Sequence, residues 1–272
     1  MIDLHLHLIP GIDDGAESLA VSEAMLTRMA SLGFTRLVAT PHLKDRLVPA
    51  YQDQAEGSLM PVQDLADRFG ITVGLGYEHL LLPGLADRLQ TGEASTLAGS
   101  RSVLVELPFV GWPQHAESSL FALQTAGFMP VLAHPERYDA VQRDPELALA
   151  VAERGVVLQL TFGSFVGTYG RAVEKSVRTL LEASLARGFR VILATDAHSD
   201  GARLRSVPDG IAWIRKHIPA GDAVIRWAAD EVPLSLLRIG DGPLSAGDRA
   251  FAGPLPEDPL ASKRRWWRPG RA

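Results

Sequence analysis

Asp3-Leu4-His5-Leu6-His7 opens the chain, and Thr195-Asp196-Ala197-His198 answers it far downstream. Each tract lies in or just after an apolar run that reads as a strand, where residues i and i+2 point to the same face. Each therefore presents a pair of polar groups on one side. Imidazoles and carboxylates are the usual ligands of hard-to-borderline divalent metals. We read the two pairs as two ends of one metal site joined by the fold, and the chemistry as metal-dependent hydrolysis. More residues of these types follow other apolar runs: His42 after Thr40-Pro41, Glu78 and His79 after Gly76-Tyr77, then Glu106 and His134. That recurrence across separate elements is stronger than any one His-x-His pair, which is often an ordinary surface or core feature.

The elements that must position these groups alternate. Strands are expected at 2–7, 35–40, 71–76, 102–107, 129–133, 156–161 and 190–195, most of them continuously apolar as parallel strands covered on both faces are. Amphipathic helices lie between them. One, from about Glu17 to Leu32, places Val21, Met25, Leu26, Met29 and Leu32 on one face, with Gly33 after it. Another, from Arg171 to Arg187, turns Val173, Val177, Leu180, Leu181 and Leu185 inward, with Gly188 after it. Seven strands alternating with helices suggest a (β/α) barrel of seven strands, with a doubly wound open sheet as the alternative. In barrels the chemistry sits at the C-terminal strand ends, which is where the polar residues fall.

Composition narrows the function classes. The chain has 272 residues, 46% of them hydrophobic, so it can build a full-sized core. A net charge of −5 argues against a general nucleic-acid binder. With no cysteine, thiolate ligands and cysteine nucleophiles are excluded. His5 and His7 interrupt the apolar start, which is unlike a signal peptide, and no run approaches the roughly 20 apolar residues of a spanning helix. A cytoplasmic protein is expected. The region 1–239 reads as one domain. From 240 to 272 the sequence is rich in Gly, Pro and Asp and reads as a partly disordered tail. Its end, Lys263-Arg264-Arg265-Trp266-Trp267-Arg268, joins cations to indoles and suits weak contact with anionic lipid or a membrane protein, or is an end without function.

The motifs together resemble the PHP (polymerase and histidinol phosphatase) superfamily, and within it the bacterial tyrosine phosphatases of capsular and extracellular polysaccharide operons. The segments that carry the resemblance are MIDLHLHLIPGIDDG at 1–15, ATPH at 39–42, GYE at 76–78, Val105-Glu106, AHPERYD at 133–139, LQLTFGSFVGTYG at 158–170 and ATDAH at 194–198. They occur in the family's order. The resemblance implies a distorted (β/α)7 TIM-like barrel of the PHP type, holding two or three divalent metals, often manganese. It implies hydrolysis of phosphotyrosine on a partner, a membrane-associated bacterial tyrosine kinase. The chain departs from the family at Leu6, where a small polar residue is common, and at His79, where many relatives are apolar. It departs again at Asp230-Glu231-Val232-Pro233, where an Asn-Pro pair is usual.

On this reading His5 and His7 bind one metal with Glu106 and Asp196, and Glu106 bridges two. His42 and His134 complete the neighbouring sites. Asp14 and Glu78, with His198, are candidates for a third ion. Asp14 competes with a turn or N-cap role, and Asp13 is read as the turn residue. His79 is read as structural. Ligand types fit Mn, Fe or Zn without choosing among them. Metals roughly 3.5–4 Å apart activate hydroxide and stabilise the attacking and leaving oxygens. Arg137 is the expected phosphate clamp, since guanidinium binds phosphate bidentately. Arg203 is the second, with Arg205 as the local alternative. Two other functions stay open: a phosphoesterase for a small monoester such as histidinol phosphate or for a nucleic-acid diester, and a non-catalytic kinase-binding regulator.

Overall fold

The computed structural model describes residues 1–43 and 48–238; the tail expected at 240–272 lies outside them. Among the described residues there are nine strands, with helices between all but β2 and β3 and β4 and β5: β1 (Ile2–Leu6), β2 (Arg36–Ala39), β3 (His42–Leu43), β4 (Thr72–Leu75), β5 (Glu78–Leu80), β6 (Ser102–Glu106), β7 (Met129–Ala133), β8 (Val157–Thr161) and β9 (Val191–Ala194). Every ladder is parallel. The order is β1-β2-β4 in one sheet and β3-β5-β6-β7-β8-β9 in the other. This is an α/β protein with parallel sheets. Val103, Leu104, Val131, Leu132, Leu158, Ile192 and Leu193 are fully buried, as strands covered on both faces must be.

Two of the seven expected strands are each followed by a short further strand that lies beyond the expected bounds. The run at 35–40 gives β2, and pairing resumes at β3 after Pro41, which has no N–H to offer a ladder. The run at 71–76 gives β4, then β5 beyond Gly76-Tyr77. The chain is held close here: a Cβ on Gly76 would lie 2.9 Å from Leu97 Cδ2 and one on Gly74 2.7 Å from Ala98 Cβ. Neighbours stay bonded across the break, since Gly76 N–H donates to Ala39 O (2.8 Å) and Glu78 N–H to Pro41 O (3.2 Å). These breaks separate the sheets. At the other edge β1 meets the end of β9 through a parallel bridge at Leu6 and Ala197. There Asp196 N–H donates to His5 O (2.9 Å) and His7 N–H to Ala197 O (2.8 Å).

The helices pack as their periodicity dictates. Leu19–Ser31 is capped by Ser18, whose hydroxyl accepts from Val21 N–H, and buries Met25, Leu26 and Met29. Gly33 then takes a positive φ of 82°, which favours glycine. Arg171–Arg187 buries Val173, Val177, Leu180, Leu181 and Leu185 and stops at Gly188, φ 74°. The segment around Asp230 is helical despite lacking Asn-Pro: the helix Val232–Leu237 offers Leu236 O to Ser102 Oγ (2.9 Å), and Asp230 pairs with the N-terminal ammonium (3.2 Å). Among the described residues no helix is long and apolar enough to cross a membrane.

Candidate metal centre

Strand alternation turns His5 and His7 of the first tract to the same side, and both are fully buried. Each ring is held by its Nδ1. His5 Nδ1 lies 2.8 Å from Gln159 Oε1, which also accepts the His134 N–H at 3.1 Å. His7 Nδ1 lies 2.6 Å from Asp13 Oδ2. Acceptors at both Nδ1 atoms hold a ring proton there, so Nε2 is the nitrogen that would ligate once a metal takes the place of any proton on it. Nε2 of His5 and of His7 and Nδ1 of His134 are buried and have no hydrogen-bond partner.

The Nε2 atoms of His5, His7 and His134 face carboxylates, that of His134 within hydrogen-bond distance of Glu78. Glu78, 1% exposed, stands at the centre. Its Oε2 lies 3.2 Å from His5 Nε2, 3.4 Å from His7 Nε2 and 3.3 Å from His42 Nδ1, and its Oε1 2.9 Å from His134 Nε2. Asp196 Oδ1 lies 3.4 Å from His5 Nε2 and 3.5 Å from His7 Nε2. Glu106 reaches only His42, at 3.4 Å, so the central carboxylate is Glu78 and Glu106 stands to one side. Asp14, largely exposed, has Oδ1 3.7 Å from His42 Nε2 and 3.5 Å from His198 Nε2.

Among the described residues four sets offer ligand atoms within 4.8 Å of one another: His7-Asp14-His42-His198, His5-His7-Asp196, His5-Glu78-His134 and His42-Glu78-Glu106. These sets contain all nine residues expected from the sequence. His79, by contrast, turns to the other side of its strand and bonds Ser95 O at 2.8 Å.

The electrostatics are those of charges concentrated out of water. Burial alone would lower His5 and His7, but the surrounding carboxylates outweigh it and raise both, His7 well above its ordinary value. Burial would raise Glu78 and Asp196, yet the imidazoles, and for Asp196 also Arg203, hold both well below the carboxylate range. His198 is pushed down to about 4 by burial and by the neighbouring His7. Backbone strain is stored here too. His134 (φ 33°) and Asp196 (φ 49°) are two of four non-glycine residues with positive φ among the described residues. Each follows the end of its strand and costs on the order of 1–3 kcal/mol.

Both predicted arginines reach this cluster. Arg137 pairs with Asp196 Oδ2, and its guanidinium lies 4.8 Å from the ring of Phe109 and 4.6 Å from that of Tyr169. Arg203 Nη1 lies 2.8 Å from Asp196 Oδ1 and 2.6 Å from His198 Nδ1, and the guanidinium is 5.6 Å from the Tyr169 ring. Arg205 is exposed, which leaves Arg203 as the second arginine of the cluster.

Several supporting residues escape sequence reasoning. Asp13 is a turn residue, accepting Gly15 N–H at 2.9 Å, but it also holds His7 and the His42 N–H (2.9 Å). Gln159 had a signal, as the polar interruption of an otherwise apolar strand. Asp3 accepts from Thr195 Oγ1 (2.6 Å) and fastens β1 to the end of β9. Glu136, fully buried, accepts from Thr161 N–H and Ser164 Oγ beneath the arginine loop. Phe109 and Tyr169 gave no signal.

Fold and site together define an α/β protein with a buried histidine–carboxylate centre suited to clustered divalent metals and flanked by two arginines. More particularly, the chain belongs to the capsular polysaccharide synthesis CpsB/CapC family, whose sequence profile matches residues 1–226. It is 31% identical over 202 residues to the tyrosine-protein phosphatase YwqE of Bacillus subtilis (strain 168), spanning 73% of this chain and 78% of that one. It is 25% identical over 210 residues to the tyrosine-protein phosphatase CpsB of Streptococcus pneumoniae, spanning 75% and 85%. Crystal structures of YwqE from Bacillus subtilis and CpsB from Streptococcus pneumoniae, described as unique metal-dependent tyrosine phosphatases, include a similar chain. It matches with a TM-score of 0.75 at 27% identity, covering 89% of this chain and 96% of that chain.

Proposed function

We propose that this protein is a metal-dependent phosphatase that hydrolyses phosphotyrosine on a protein. The observation that carries the reading is the convergence of the buried Nε2 atoms of His5, His7 and His134 on the Glu78 carboxylate, with Asp196 shared by His5, His7 and two arginines. His5, His7, Asp14, His42, Glu78, Glu106, His134, Asp196 and His198 would hold two or three ions. Their mix of nitrogen and oxygen donors suits manganese, iron or zinc, with manganese favoured by the resemblance. Bound ions would supply an activated water and neutralise charge on the phosphoryl group.

The protein's own part is positioning. Gln159 and Asp13 fix the histidine tautomers, and Glu78 fixes the distance between ligand sets. Arg137 and Arg203 offer planar donors that can turn from Asp196 to phosphoryl oxygens. The phenolate of tyrosine, with a pKa of about 10, leaves without strong acid assistance. The phosphotyrosine substrate is supported by the relatives' names, and family membership supports a kinase of capsule or exopolysaccharide assembly as the physiological partner, met in the cytoplasm. We read the two sheets, joined at β1 and β9 and continuous through the breaks at Pro41 and Tyr77, as one distorted seven-stranded barrel.

The test is hydrolysis of a phosphotyrosine peptide by manganese-loaded protein, with and without chelator, beside histidinol phosphate and an oligonucleotide. Chelator-sensitive activity strongest on the peptide is expected. Absence of such activity sinks the enzyme reading, and a preference for histidinol phosphate or the oligonucleotide sinks the substrate.

A further inference from the structure

We propose that Phe109, with Val110 next to it in the chain and Leu80 at the end of the neighbouring strand, forms an apolar rim that receives the ring of an aryl phosphate, so that the site selects aryl over alkyl phosphomonoesters. The inference rests on the phosphatase reading and names the feature that would choose the substrate.

Phe109 stands three residues beyond Glu106, on the loop that leaves the C-terminal end of β6 beside the cluster. It is 45% exposed and Val110 is 79% exposed, which is costly for large apolar groups next to a charged site. Leu80, 41% exposed, pairs with Glu106 in the ladder and lies two residues past Glu78, hence on the same side of its strand. The loop that carries Phe109 is firmly held. Phe109 O accepts Asp139 N–H (2.9 Å), and Asp139 Oδ1 accepts the N–H of Gly111 (2.7 Å), a turn residue with φ 83°. The HPERYD segment thus supplies the arginine and also fixes the aromatic wall beside it.

The geometry ties this wall to the phosphate position. The Phe109 ring stacks on His134, with centroids 5.7 Å apart and planes at 29°, and the Arg137 guanidinium lies 4.8 Å from its centre. A phosphoryl group held by Arg137 would therefore have Phe109 as a neighbour. In phosphotyrosine the ester oxygen is attached directly to a ring, which would lie against this wall. In phosphoserine a single methylene follows the oxygen, and it has little apolar surface to bury. The cluster and the arginines grip any phosphate alike, so discrimination has to come from what surrounds them.

The experiment compares wild type, Phe109→Ala and Phe109→Tyr as full-length, manganese-loaded protein. Rates are measured on one peptide carrying phosphotyrosine or phosphoserine, and phenylphosphonate and ethylphosphonate are titrated by calorimetry. Burial of part of a ring should make Phe109→Ala lose about five- to tenfold in the aryl-to-alkyl ratio of kcat/KM, mainly through KM. The preference for phenylphosphonate should fall to the same extent, with ethylphosphonate binding unchanged. Phe109→Tyr keeps the ring and should keep both preferences. Equal losses on both peptides would make Phe109 only a prop for Arg137 and His134, and overturn the proposal; so would an unchanged ratio. Wild type lacking chelator-sensitive hydrolysis refutes the phosphatase reading instead. The titration then still decides the rim, since equal binding of the two phosphonates by wild type overturns it.

Discussion

Asp13 separates two roles that a single carboxylate performs. One oxygen accepts Gly15 N–H (2.9 Å) and shapes the turn; the other accepts from His7 Nδ1 (2.6 Å) and His42 N–H (2.9 Å). Its carboxyl is held at about 2, with burial opposing and His7 and the two N–H groups prevailing, so it stays an acceptor at any working pH. Asp13→Ala orphans three donors. Leaving a buried backbone donor unpaired costs about 1–3 kcal/mol, so a stability loss of roughly 2–4 kcal/mol is expected after partial hydration of the loop. The loss to the centre is separate. A ring whose outer hydrogen bond is removed weakens metal binding by about 10–100-fold, roughly 1.4–2.7 kcal/mol. Asp13→Asn has one amide oxygen, which can serve His7 and His42 or Gly15 but not both sides. Facing His7, it should keep most of the metal affinity while still losing about 1–2 kcal/mol at Gly15. Manganese affinity by competition with a chromogenic chelator, beside urea unfolding of the metal-free proteins, reads the two effects independently. If Asp13→Ala unfolds more easily but binds manganese like wild type, Asp13 is a turn residue alone and the orienting role is wrong.

Other outcomes follow from the same geometry. Gln159→Leu keeps the shape but strips the acceptor from His5 Nδ1 and His134 N–H, so metal affinity should fall about tenfold or more; calorimetric titration checks it. Gly15→Ala would set a Cβ 2.3 Å from His7 Cβ and 2.5 Å from His7 O, and should destabilise by about 1–3 kcal/mol in urea unfolding, with a rise in the manganese needed for half-maximal activity. Arg137→Lys and Arg203→Lys retain charge but lose the planar fork, so inorganic phosphate should inhibit each variant at least about tenfold more weakly. Manganese at about 100 times its dissociation constant should stabilise the protein by about 2.7 kcal/mol, and a chelator should remove that gain in a thermal melt.

The residues of the candidate centre were legible because parallel strands are apolar throughout, so each polar group at a strand end stood out against its own run. Helices with a clean 3.6-residue period, such as Arg171–Arg187, were equally plain. The short strands β3 and β5 were not, since two or three residues carry no periodicity and their pairing depends on chain held in place by Ala98 and Leu97. The central position of Glu78 was also hidden. Sequence ranks carboxylates by strand, whereas which one reaches four histidines depends on how far β5 is displaced from β4. Contacts made through a ring, at Phe109 and Tyr169, depend on loops whose paths are set by tertiary bonds such as Asp139 to Gly111.

The seam between β1 and the end of β9 has a consequence for the life of the chain. Asp3 and Thr195 are bonded across 192 positions, and His5 and His7 share the carboxylate of Asp196. The centre is therefore incomplete in a nascent chain until Asp196 and His198 have left the ribosome. A chain halted earlier carries His5 and His7 but lacks Asp196, His198 and Arg203. Only a molecule that has joined its first strand to its last brings Asp196 and Arg203 to the histidines of the first tract.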